Sequence, residues 1–241
     1  MAAAVTAALV LMEKKQGLSG NAWKIIACVS MFIDHVGVVL IECGIMHTQE
    51  TYDAVTAVLP WNWMAVDLVL RVIGRLAFPI YCFFLVEGFF HTKNVKKYGL
   101  RLALFAVISE VPFDMAVNGA PVYWGYQNVF FTLYFGLLAM VLAERMNKFW
   151  LKLLPGSVCI LLAHFIHSDY GATGVLVIFV IYLVYVLEAE RYPAGENFRL
   201  LPSIYSGERG SANLKWFFYV FYPAHLLLLV LIRYLLLGFW Y

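Results

Sequence analysis

Apolar residues gather into seven long stretches, 22–46, 66–90, 99–117, 128–143, 153–167, 172–187 and 216–240, parted by short polar segments. None of them alternates with the period of two that a half-buried strand would show, and several approach the roughly 20 residues that cross a hydrocarbon core of about 30 Å as an α-helix. The pattern predicts an all-α protein, a polytopic membrane helix bundle with about seven transmembrane helices. Pro155 and Gly156 blur the start of the fifth stretch. Residues 1–12 are apolar but too short to span. Their charges, Glu13 to Lys15, follow them, the reverse of a secretory signal. We therefore read 1–21 as a cytoplasmic or interfacial N-terminus and 22–241 as one bundle domain.

Basic residues alternate from loop to loop. Lys14, Lys15 and Lys24 stand at the start of the first stretch, Lys93, Lys96, Lys97 and Arg101 at 91–101, Arg145, Lys148 and Lys152 at 144–152, and Arg191, Arg199, Arg209 and Lys215 at 188–215. The intervening loops 47–65, 118–127 and 168–171 have no Lys or Arg. The positive-inside rule then puts the N-terminus of a multi-pass membrane protein in the cytoplasm and its C-terminus outside. Composition agrees, with 63% hydrophobic and 13% charged residues, far above the roughly 45–50% apolar content of soluble domains. A net charge of +2 without a basic tract sets nucleic acid aside. Cys28, Cys43, Cys82 and Cys159 stand singly, which suits packed hydrophobes and neither a zinc site nor a disulfide framework.

The polar residues inside the stretches carry the candidate chemistry. Asp34 and His35 are neighbours in the first one, about 100° apart on a helix, so each must find its partner elsewhere. Arg71 and Arg75 share a helix face, as do Glu110 and Asp114, and Asn128 and Thr132. Counted at about 1.5 Å per residue, His35 lies roughly 20 Å and His225 about 14 Å from the inner ends of their spans. Arg75, about 14 Å from the outer end, and Glu110 and Asp114, about 15 and 21 Å from the inner one, fall in the same layer. Ionisable groups are expensive at that depth, and several at one level imply one site. Two readings follow: the arginines and the carboxylates of the third stretch neutralise one another as a packing network, or the histidines turn the cluster to proton chemistry.

Other features are weaker. Tyr219, Tyr222 and His225 follow at i, i+3 and i+6 around Pro223, and either line a cavity or pack a kinked helix. Glu87 and His91 read as an interfacial pair, and 121–127 as part of an aromatic belt. His164, His167 and Asp169 make too small a ligand set, so no metal is expected. Lys93, Lys96, Lys97 and Arg101 are explained by topology, or by an anionic cytosolic cofactor.

Asp34-His35-Val36-Gly37, Arg71 with Gly74-Arg75 and Phe78-Pro79, Glu87-Gly88 with His91-Thr92, Pro112-Phe113-Asp114, Asn128 with Thr132, Asp169-Tyr170-Gly171 and Tyr222-Pro223-Ala224-His225 together resemble the TraX family of membrane proteins, from about residue 18 to 236. That family takes its name from a conjugation protein that N-acetylates a pilin subunit, and it is similar in outline to membrane acyltransferases that use acetyl-CoA. The resemblance implies an enzyme that moves an acyl group from acetyl-CoA to an amine or hydroxyl of an envelope or pilin-like acceptor. It would make His35 the general base or a transient acyl carrier, positioned by Asp34, with His225 its rival. Arg71 and Arg75 would polarise the thioester carbonyl or pair with carboxylates. Arg75 or Asn128 would face the oxyanion, and Asp114 or Glu110 would hold the imidazole. Lys93, Lys96, Lys97 and Arg101 would meet the cofactor's phosphates. A proton-coupled transporter using the same residues is the alternative, and an assembly factor that merely holds its partner a third reading.

Overall fold

Ser19 accepts a hydrogen bond from the Ala22 N–H at 3.3 Å and so starts the first helix of the computed structural model, which describes residues 17–191, 205–208 and 214–238. Expectations for 1–16, for Arg199 and Arg209 and for the end of the last stretch at Trp240 lie outside the described residues. Helix α1, Gly20–Val36, runs on into a π-helical segment, Gly37–Ile45. After it come α2 (Gln49–Val58), α3 (Trp63–Gly74), α4 (Ala77–His91), α5 (Val95–Val117), α6 (Val129–Ala143), α7 (Phe149–Phe165), α8 (Gly171–Arg191) and α9 (Lys215–Leu237). The described residues contain no strand. Side-chain caps fix several starts: Thr48 on α2, Asn62 on α3, Asn94 on α5 and Asn128 on α6 each accept a backbone N–H of the first turn.

The structure is an all-α membrane bundle. Gly20–Ile45, Trp63–His91, Gly171–Glu188 and Trp216–Leu237 are long and apolar enough to cross a membrane. Val129–Ala143 and Phe149–Phe165 are apolar but shorter, and α5 is interrupted by Lys96, Lys97, Arg101, Glu110 and Asp114. A count of seven spans therefore rests on those three helices. Two features depart from the apolar pattern. The stretch 47–65, expected as a loop, contains α2, which buries no residue. The second stretch is broken at Arg75 and Leu76: Pro79 has no N–H for the Arg75 carbonyl four residues back, and its ring crowds that turn.

Helix α1 packs on α3 and α4, α9 on α5 and α1, and α6 sits among α5, α7 and α8. Ala27, Val39, Cys82, Val86, Ala139, Met140, Ile178 and Leu226 fill the interior, while Val29, Leu68, Val72, Leu100, Val107 and Leu235 face outward. The apolar outer face is the one a bilayer covers.

Candidate functional site

Asp34 is held by the end of α3. Its Oδ2 accepts Arg71 Nη1 at 2.6 Å, while Oδ1 is buried without a hydrogen-bond partner among the described residues. The two helices approach closely because position 74 has no side chain: a Cβ on Gly74 would overlap the Asp34 side chain. Ser30 ties off the same end, its hydroxyl 2.6 Å from the Ile73 carbonyl and 3.2 Å from that of Gly74. Arg71 Nε also reaches Glu42 Oε1 at 3.1 Å, with Asp67 beside Glu42. On an α-helix Glu42 would lie about 80° round from Asp34. The π-helical winding turns less per residue and returns Glu42 toward the Asp34 face. The expected neutralisation of Arg71 and Arg75 by Glu110 and Asp114 is thus overturned, since the carboxylates on Arg71 come from the first span.

His35 points to the last helix. Its Nδ1 lies 2.8 Å from the Met31 carbonyl and 3.1 Å from Nε2 of His225, whose own Nδ1 is 2.7 Å from the Phe221 carbonyl. Tyr222 meets the His35 ring edge-on, centroids 5.8 Å apart. Neither imidazole contacts a carboxylate among the described residues. Glu110 is bonded to the Asn128 amide, and Asp114 accepts the Tyr123 N–H at 2.7 Å and the Asn118 amide at 3.1 Å, so neither holds His35. Asn128 is also spent: it caps α6 through Phe130 N–H and donates to the Ala106 carbonyl at 2.7 Å and to Glu110.

A tight loop brings in another carboxylate. His167 and Tyr170 have φ of 52° and 61°, and Gly171 43°, conformations that cost side-chain-bearing residues energy and persist where the surroundings enforce them. The Thr132 hydroxyl donates to the Asp169 carbonyl, and the Asp169 N–H bonds the Gln127 carbonyl at 2.7 Å. Asp169 Oδ1 accepts from the Tyr126 hydroxyl at 2.8 Å and the Tyr170 N–H at 3.0 Å. Burial pushes the Asp169 carboxyl above its ordinary range, against those bonds. Tyr170 stacks on Phe78, centroids 3.8 Å apart, and exposed Arg75 lies over its ring at 5.6 Å.

These groups close one end of a cavity of about 460 Å³. Asp34, His35, Gly74, Asp169, Tyr170 and Tyr222 line that end, its floor; Gly20, Lys24, Glu87, His91, Tyr98 and Arg101 line the other, which we take as the mouth because His91 is exposed there. Along α1 the distance from Gly20 to His35 is about 22 Å. Of the residues expected at the site, Asp34, His35 and Arg101 line this cleft. Arg71 and His225 stand behind Asp34 and His35, while Arg75, Glu110, Asp114 and Asn128 do not line it, nor do exposed Lys93, Lys96 and Lys97. Lys24 and Asp169, read from the sequence for topology and as a weak metal ligand, take positions at the mouth and on the floor. The signal for Asp169 was its place in Asp169-Tyr170-Gly171. Among the described residues no group of three or more His, Cys, Asp or Glu could hold a metal ion.

A helical bundle with an ion-paired aspartate and two touching histidines at the bottom of a deep cleft is a multi-pass integral membrane protein with a polar intramembrane site. A model of the TraX protein family matches residues 19–203, and the chain belongs to that family. It is 27% identical over 259 aligned residues to a protein of Dichelobacter nodosus described as probable fimbrial assembly protein FimC, serogroup H1, with 90% of this chain and 97% of that protein covered. No solved structure matches.

Proposed function

We propose that this protein is a membrane-embedded acyltransferase that moves an acetyl group from acetyl-CoA to an amine or hydroxyl of a pilin-like or other envelope acceptor. The observation that carries the proposal is His35 at the floor of the cleft, its Nε2 without a hydrogen-bond partner among the described residues. That nitrogen is a base facing a space deep enough for a thin acyl-bearing arm. At the mouth, Arg101 hydrogen-bonds Tyr219, lies 5.5 Å from the Tyr98 ring centre, and has a buried Nε without a partner and no carboxylate among the described residues. An arginine so placed suits an anionic group such as a donor phosphate. The mouth is built from the helix ends that the basic loops put in the cytoplasm, where acetyl-CoA is made, and so favours the cytoplasmic membrane. A fimbrial assembly protein among the relatives supports a pilin-like acceptor.

The acceptor's N–H or O–H gives its proton to His35 Nε2 as it attacks the thioester carbonyl; the tetrahedral adduct then collapses, the C–S bond breaks, and the thiolate takes that proton from His35 Nε2, which is again a free base. Asp34, fixed by Arg71, sets the orientation of α1 on which His35 sits.

The test is thermal unfolding of the purified protein in detergent with acetyl-CoA, and with ATP as control. A saturable rise with acetyl-CoA alone is expected, together with at least a tenfold weaker Kd in Arg101→Ala, the scale of a lost charge-assisted bond. Equal shifts with both nucleotides, or none, would remove the acyltransferase reading and make proton-coupled transport the one to pursue.

A further inference from the structure

We infer that His225 is a positioning residue: its Nε2 accepts the Nδ1–H of His35 and fills the place a carboxylate takes in a hydrolase triad. The inference rests on the proposed role of His35 as base. Two backbone carbonyls decide the arrangement. A carbonyl only accepts, so the contacts of Met31 O at 2.8 Å and Phe221 O at 2.7 Å put the ring proton of each histidine on Nδ1. His225 then presents a bare Nε2, 3.1 Å from the protonated Nδ1 of His35, which leaves Nε2 of His35 as the free base. The reverse order, with His225 donating, would set two lone pairs against two carbonyl oxygens.

The His225 ring is clamped for this task. It stacks on Phe221 with centroids 4.8 Å apart at 18°, and Phe32 covers it at 6.2 Å. Asp34, the acid adjacent in sequence, is turned to Arg71 instead. When His35 Nε2 takes the acceptor's proton, the Nδ1–H bond to His225 gains charge assistance. The Nδ1–H stays on His35, since passing it on would leave a bare nitrogen 2.8 Å from the Met31 carbonyl; the Nε2 proton goes to the departing thiolate, and until then the bond to His225 steadies the cation. A neutral acceptor does this without a permanent buried anion, whose desolvation is costly.

The experiment uses the full chain in detergent, labelled with ¹⁵N-histidine, and compares wild type, His225→Leu and His225→Gln. Gln places a carbonyl oxygen near the Nε2 position, and unfolding curves check the fold of each variant. In wild type the His35 ring is expected protonated on Nδ1. In His225→Leu the Met31 carbonyl keeps that tautomer, the His35 Nδ1 signal moves with the lost bond, and thiol release from acetyl-CoA with glycinamide as acceptor drops about 10²-fold at unchanged KM for the donor. In His225→Gln the signal moves back and release returns to within about tenfold of wild type, the loss a suboptimal hydrogen bond gives. A wild-type His35 protonated on Nε2, a folded Leu variant with full turnover, or a folded Gln variant as slow as Leu would overturn the assignment. Absence of transfer in wild type would overturn the acyltransferase reading alone, because the ring nitrogens report on the pair without turnover.

Discussion

A methyl group on Gly74 would meet the Asp34 side chain, and the end of α3 would have to retreat. Gly74→Ala is expected to cost about 1–3 kcal/mol, read as a lowered unfolding midpoint in detergent. Arg71→Met should cost more, about 3–5 kcal/mol, because it strands the Asp34 carboxylate in the bundle, while Glu42, more exposed, adds little. Adding Asp34→Asn should recover part of that loss; no recovery would show that Arg71 acts through its packing. The choice of Asp34 and His35 as central was legible in the sequence, since an acid and a histidine inside a long apolar helix are conspicuous. The partner of Arg71 was not. An ideal helix gives Glu42 the wrong face, and nothing in Gly37–Ile45 announces a π-helical winding by its apolar pattern. The contact of His35 with His225, 190 residues apart, depends on tertiary packing that no local spacing encodes.

At the level of elements, the loop between α7 and α8 holds its strained backbone through Thr132. Thr132→Val removes the hydroxyl bonded to the Asp169 carbonyl and leaves that buried acceptor short of a partner, a loss of about 1–3 kcal/mol. Hydrogen exchange of the 168–171 amides should rise before that of α6; unchanged protection would show that the bonds to Gln127, Tyr126 and Ala163 hold the loop without Thr132. The helix boundaries of the bundle were largely readable, because apolar runs mark them to within a few residues. Helix α2 was missed for a physical reason: it buries nothing, so it has no apolar stripe for periodicity to reveal. The break between α3 and α4 was written in Pro79, although the apolar run continues across it.

For the molecule as a whole, one end of the cleft is predicted to face the cytoplasm. In a chain whose native cysteines are replaced by Ala, Thr92→Cys at the mouth should react with a membrane-impermeant maleimide from the cytoplasmic side only. Labelling from the outer face would invert the orientation drawn from the basic loops. Fold class came readily from hydropathy, whereas the cleft did not, because it is assembled from six helices, the 168–171 loop and Tyr205.

The depth of that cleft has an electrical consequence. Water standing in it as far as His35 would carry the potential of its own side inward, so a membrane voltage would fall across the thin layer beyond the Tyr170–Phe78 stack rather than across the full hydrocarbon thickness. At about 2.3 kcal/mol per charge for 100 mV, a charged acceptor reaching His35 through that layer would cross nearly the whole field within a short path. One arriving through the mouth would feel almost none. Turnover indifferent to voltage in vesicles would mark the second route, and voltage-dependent turnover the first.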